Sequence, residues 1–176
     1  MRAIYRIRQG LANLGARMRP GDWTLVARHL SQPERALFAR MEPADQSHSV
    51  QVLRTLLSSG VTDESILKAA LLHDVGKSRC PISVFHRTAT VLLKAIFGRL
   101  PALELRGEET GWWFPFYVIA NHPRIGASML AQAGAEERVW RLVELHQLEP
   151  HQVGSVPDGP WVREALTILR RADNQN

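Results

Sequence analysis

Six side chains in this sequence have the types and spacing to do chemistry together: His48, His73, Asp74, His122, His146 and Asp173. A single histidine on an apolar helix face is usually a satisfied core residue. Here the pattern is joint, because each residue extends an apolar stripe of helical spacing. His48 shares a face with Val52 and Leu56, and His73 shares one with Ile66 and Ala70, with Asp74 beside it. His122 lines up with Gly126, Leu130 and Ala133, His146 continues Val139, Leu142 and Val143, and Asp173 continues Leu166 and Leu169. Five helices thus aim an imidazole, a carboxylate or both at the interior, where an ionised aspartate needs a compensating partner. A metal centre supplies one. Imidazoles and carboxylates make a nitrogen and oxygen site suited to Fe, Mn, Co, Ni or Zn, and six ligands exceed what one tetrahedral ion uses, which points to two ions. Cys80 is the only cysteine, so a cysteine-based zinc site and an internal disulfide framework are both excluded.

The elements that must position these residues read as helices throughout. Trp23 to Met41 is helical around Leu25, Val26, Leu30, Leu37 and Phe38, with a break at Ser31-Gln32-Pro33. A second block runs from Asp45 to Ser58. Thr62 is the expected N-cap of the next helix, with Asp63 and Glu64 in its first turn, and that helix continues through Ala70 to Gly76 as its C-terminal stop. Val84 to Phe97 is an apolar helical stretch, followed by Leu100-Pro101 and an aromatic cluster of Trp112, Trp113, Phe114, Phe116 and Tyr117. Pro123 is the expected first position of a helix ending at Gly134, Glu136 to Leu148 forms another, and the last ends near Asp173. No segment alternates with period two for long enough to suggest a sheet, and there is no internal repeat. The expected fold is all-α.

With 176 residues, 45% hydrophobic and 22% charged, the chain has the composition of one ordinary globular domain. Residues 1 to 40 hold eight arginines against Asp22 and Glu34, although Ile4, Ile7, Leu11 and Leu14 recur at helical spacing before Pro20-Gly21. That segment is taken as an amphipathic helix docked on the domain with a solvated basic face, in preference to a membrane-surface or nucleic-acid contact. No apolar run approaches the roughly 18 residues of a membrane span, and a cytoplasmic protein is expected.

With these residues in view, the chain resembles the HD-domain superfamily of metal-dependent phosphohydrolases. His48, the His73-Asp74 pair within His-Asp-Val-Gly-Lys, His122, His146 and Asp173 follow the order of its two-metal form. The resemblance covers roughly residues 45 to 174. It implies a helical bundle with the metal site between helices, one ion held by His48, His73, Asp74 and Asp173, and a second held by Asp74, His122 and His146. Asp74 would bridge. The lysine after the glycine, Lys77, would face a substrate phosphate and take part in catalysis, and Arg124 is a further candidate for anion contact. Residues 1–44 are then an N-terminal extension on an HD domain of residues 45–176. The 48 positions between Asp74 and His122 imply an insertion at about 81–121, whose aromatic residues would form a lid or wall over the pocket or else fill a local core. His29, His86 and His151 match nothing in the pattern and are expected to be surface or capping residues.

The resemblance implies a phosphohydrolase acting on a nucleotide or another small phosphorylated substrate, with two divalent transition-metal ions activating a water. Two other readings share the ligand set: a diiron oxygenase of the same superfamily, and a non-catalytic regulatory module that binds a nucleotide. Cleavage of cyclic-di-GMP is not implied, because that branch carries a double histidine and a Gly-Tyr-Pro motif, whereas Gln147 follows His146 here.

Overall fold

The computed structural model describes residues 18–97 and 111–176, so the basic helix expected from Ile4, Ile7, Leu11 and Leu14 lies outside the described residues. The described chain is all-α. Its helices are α1 (Pro20–His29), α2 (Gln32–Ala39), α3 (Pro43–Ser58), α4 (Glu64–Leu72), α5 (Val84–Phe97), α6 (Phe114–Gln132), α7 (Glu137–Leu145) and α8 (Gly159–Gln175). Two 3-10 turns, Val75–Arg79 and Pro150–Gln152, follow α4 and α7.

Local chemistry explains where these helices begin. Ser31 caps α2 in a reciprocal box, its hydroxyl facing the Glu34 amide while Glu34 accepts from the Ser31 amide at 2.7 Å. Pro33 fits in the first turn because no intrahelical N–H is required there. The cap of α4 falls on Asp63 rather than on the expected Thr62. One Asp63 oxygen accepts from the Ser65 amide at 2.9 Å and the other from the Trp161 indole at 3.1 Å. A carboxylate can cap α4 and tie it to α8 at once, which a single hydroxyl does less well.

Three helix ends depart from the sequence reading. The fourth helix stops at Leu72, and Gly76 lies in the 3-10 turn beyond it. The helix expected to start at Pro123 starts at Phe114, which leaves Pro123 inside α6 with Pro115 in the first turn. The seventh stops at Leu145, three residues before the expected Leu148.

Helix α4 is central and packs against α3, α7 and α8, while α6 lies against α7 and the first 3-10 turn. Leu53 and Leu56 of α3, Leu67 and Leu71 of α4, Leu142 of α7 and Leu166 of α8 are fully buried in one continuous core. A smaller cluster of Ile82, Val118 and Ile119 joins the start of α6 to the chain after the 3-10 turn. No described helix is long and apolar enough to cross a membrane.

Candidate metal centre

The six residues singled out above come together at one end of this core. His48 projects from α3, His73 caps α4, Asp74 follows it, His122 lies within α6, His146 caps α7 and Asp173 sits in the last turns of α8. The imidazoles form a succession, with ring centroids 5.4 Å apart from His48 to His73, 5.4 Å from His73 to His146 and 5.2 Å from His146 to His122.

Three of the rings are oriented by one device. Nδ1 of His73 donates to the Ala70 carbonyl at 2.9 Å, Nδ1 of His122 to the Ile119 carbonyl at 2.8 Å, and Nδ1 of His146 to the Val143 carbonyl at 2.7 Å. In each case the acceptor is three residues back. Ala70 and Val143 lie in the last turns of α4 and α7, where helix carbonyls are left over. Ile119 is four residues before Pro123, which has no N–H to give it. The proline inside α6 therefore frees the acceptor that aims His122. With Nδ1 carrying a proton, each ring in its neutral form would present a bare Nε2 lone pair to the pocket.

These nitrogens surround the Asp74 carboxylate. Oδ1 of Asp74 is 3.2 Å from His122 Nε2, and Oδ2 is 3.4 Å from His73 Nε2. Asp173 Oδ1 lies 2.8 Å from His48 Nε2 and 3.7 Å from His73 Nε2. His122 Nε2 and His146 Nε2 are only 3.3 Å apart. Two groups could each hold a metal ion, His48 with His73 and Asp74, and Asp74 with His122 and His146, their donor atoms lying within 4.8 Å of one another in each group. The donor set fits such an ion, since buried lone pairs that face each other need a cation between them.

The electrostatics have the same origin. Burial alone would raise the Asp74 pKa, but Lys77 and His73 reverse this and hold the carboxyl well below the usual range. Burial opposes a charge on His73, yet the Asp74 and Asp173 carboxylates outweigh it and push its pKa up to about 9. At His146 burial wins, joined by the charge on His73 and the nearby His122 imidazole, and lowers the pKa to about 3. Asp173 falls to about 2, because the hydrogen bond from His48 and the charge on His73 overcome its burial.

Lys77 points into the site, where Nζ is 2.6 Å from Asp74 Oδ2. Burial opposes its charge, but Asp74 and Asp45 raise its pKa further, so it stays an ammonium. Arg124 is exposed and two residues from His122, about 200° around the helix, so it leaves on the face away from the imidazole. His86, expected at the surface, is buried. Its Nε2 donates to the Trp112 carbonyl at 3.3 Å, its Nδ1 accepts from the Ser83 hydroxyl at 2.6 Å, and its ring packs on Phe116 at 4.9 Å. Trp112 and Trp113 themselves are exposed, so the aromatic cluster is neither a closed core nor wholly at the surface.

Sequence reasoning missed three polar residues here. Gln147, singled out only for not being histidine, brings its amide nitrogen to 3.3 Å from His122 Nε2. Asp45, which is buried, forms an ion pair with the half-buried Arg87 next to Lys77. Asp45 had one available signal, its place three residues before His48 on the same face of α3.

The family model for the HD domain matches residues 46–174, which include all six of these residues and most of the chain. No curated protein and no solved structure shows significant similarity to it. An all-α core with histidine and aspartate groups able to hold metal, over a stretch matched from end to end by that model, is the signature of one family: the chain belongs to the HD-domain family, most of whose members are metal-dependent phosphohydrolases.

Proposed function

We propose that this protein is a two-metal phosphohydrolase acting on a nucleotide or another small phosphate ester. The observation that carries the reading is the placement of Asp74. Its two oxygens face different imidazoles, Oδ1 toward His122 at 3.2 Å and Oδ2 toward His73 at 3.4 Å, as a carboxylate shared by two ions requires. One ion would be held by His48, His73, Asp74 and Asp173, the other by Asp74, His122 and His146.

Two divalent cations would supply Lewis acidity to a water and to the phosphoryl group, lowering the pKa of the first and offsetting the charge that develops on the second. The chain's own part is positioning. The backbone carbonyls of Ala70, Ile119 and Val143 fix three rings so that only Nε2 faces inward. Burial of His73, Asp74, His122 and His146 keeps bulk water from those donors. Lys77 keeps its proton and offers a point charge to the substrate's anionic group.

The test is phosphate release under strictly anaerobic conditions from phosphomonoesters, dinucleotides and cyclic nucleotides, together with elemental analysis of the purified protein. Turnover of at least one ester, with Mn, Co or Ni able to replace iron, is expected. Turnover that demands both iron and dioxygen would replace this reading with the oxygenase.

A further inference from the structure

Lys77 reaches two carboxylates, and only one of them is a candidate metal ligand. Its Nζ is 2.6 Å from Asp74 Oδ2 and 3.8 Å from Asp45 Oδ1. Asp45 is the third residue of α3, one turn before His48. The helix dipole favours a carboxylate at that position but does not call for a buried one. What compensates this buried charge comes from α5, where Arg87 donates through both arms, NH1 to Oδ1 at 3.0 Å and NH2 to Oδ2 at 2.8 Å. A two-armed contact of this kind fixes the plane of the carboxylate as well as neutralising it. The Oδ1 that receives NH1 is the same atom that faces Lys77.

We propose that Asp45 is a second seat for the Lys77 ammonium and that Arg87 holds this seat in place, so that Lys77 leaves Asp74 for Asp45 when cations bind and from there faces the anionic group of the substrate. The proposal rests on the two-metal reading above. An ammonium at 2.6 Å from Asp74 Oδ2 occupies the oxygen that a divalent ion would take, and like charges at that range repel strongly in a buried site. A buried ammonium that is displaced needs another acceptor, and Asp45 is the second carboxylate that the described residues bring to it. The flexible lysine stem and its compact charge permit the shift, which a rigid guanidinium would not. Arg87 also sets the sign of the subsite. Asp45 and Lys77 alone would cancel, whereas with Arg87 the trio keeps a net positive charge and suits a phosphoryl or similar oxyanion.

Asp45 and Arg87 are thus positioning residues that act through Lys77. The test titrates inorganic phosphate into the full-length, Mn-loaded protein by calorimetry, with bound Mn counted by elemental analysis. Asp45→Asn and Arg87→Met are expected to keep the wild-type metal content and to lose phosphate affinity by about tenfold, the usual scale for a charge-assisted contact. Lys77→Ala should lose a similar amount, and adding Asp45→Asn to it should change nothing further. A merely structural role for Asp45 would lower affinity equally in both backgrounds, and that result would overturn the proposal. Undiminished affinity in both single variants would overturn it as well. If Asp45→Asn does not fold, Arg87→Met carries the same comparison. Failure of the wild-type protein, loaded with two ions, to bind phosphate at all would instead overturn the phosphohydrolase reading, and this seat with it.

Discussion

His122 and His146 face each other with their Nε2 atoms 3.3 Å apart, although each has its Nδ1 proton committed to a backbone carbonyl. With those protons so placed, neither ring in its neutral form has a hydrogen to set between the two nitrogens. Two lone pairs then meet in a buried pocket beside Oδ1 of Asp74, an arrangement that a cation among them would relieve.

Loading with divalent ions should accordingly stabilise the fold. At an ion concentration 100 times the dissociation constant the gain is about 2.7 kcal/mol, or roughly 5–10 °C in melting temperature for a chain of this size. Differential scanning calorimetry with and without a chelator measures it. An unchanged melting temperature would rule out a metal at this pair.

Asp74→Ala should remove both ions and all activity, since the shared carboxylate serves both donor groups. His122→Ala or His146→Ala should lose mainly one ion of the two and leave the group at His48 and His73 loaded. Elemental analysis of the three purified variants decides between these patterns, and full metal content in the Asp74 variant would defeat the site assignment.

The pH dependence of the metal-free protein follows from His73. Its pKa is raised in the fold, against burial, by Asp74 and Asp173 to about 9, from an ordinary value of 6.5. The folded state thus holds the proton more tightly than the unfolded chain does. The resulting stability is fully present below the unfolded value and is lost as pH rises through about 9. Melting temperature should fall across that window. His146, lowered to about 3, works the other way near 6.5, where the unfolded imidazole loses its proton, and adds no slope well above that value. A bound ion must displace the His73 proton, so titration calorimetry in buffers of different ionisation enthalpy should count about one proton released per protein at neutral pH. Zero release would contradict His73 as a ligand.

Gly76→Ala tests how closely the first 3-10 turn meets α6. A Cβ at this position would lie 2.1 Å from the His122 carbonyl oxygen and 2.7 Å from the Gly126 amide, both backbone atoms with little room to yield. The expected loss is about 1–3 kcal/mol, typical of overpacking, together with weakened metal binding at His122. Thermal melts and metal analysis report both. A variant with wild-type stability and metal content would show that α6 can move aside freely.

The residues that were readable from sequence share a physical reason for being readable. A buried group on a helix must continue that helix's apolar stripe, so His48, His73, His122, His146 and Asp173 could be found by spacing alone. Arg87 could not, because its pairing with Asp45 joins α3 to α5 across 42 residues and leaves no periodic trace, and Asp45 offered only its place on the face of His48. Arg124 follows His122 at what reads as a helix N-terminus, but α6 begins at Phe114 and two residues along a helix is nearly the opposite side. The proline after His122 was read as a helix start, its commonest place. Its use within α6 became visible only once the Ile119 carbonyl was seen to have a different donor. Helix ends at Leu72 and Leu145 were misplaced because the apolar stripe continues past the last helical residue into the ligands themselves.

The bare backbone contact at Gly76 sets a calibre. Asp74 and His122 belong to two segments pressed together with no side chain between them, and Gly126 meets the same turn from one helical turn further on. The opening offered to an ion between those residues is therefore gauged by peptide groups, which do not change rotamer. The backbones that carry these two ligands have no side chain between them to give way, so widening their separation means moving a helix off its neighbour. Any discrimination among metals of similar ligand preference would then be a mechanical property of the scaffold, and substitutions that loosen the seat of α6 on that turn should broaden the range of ions the protein accepts.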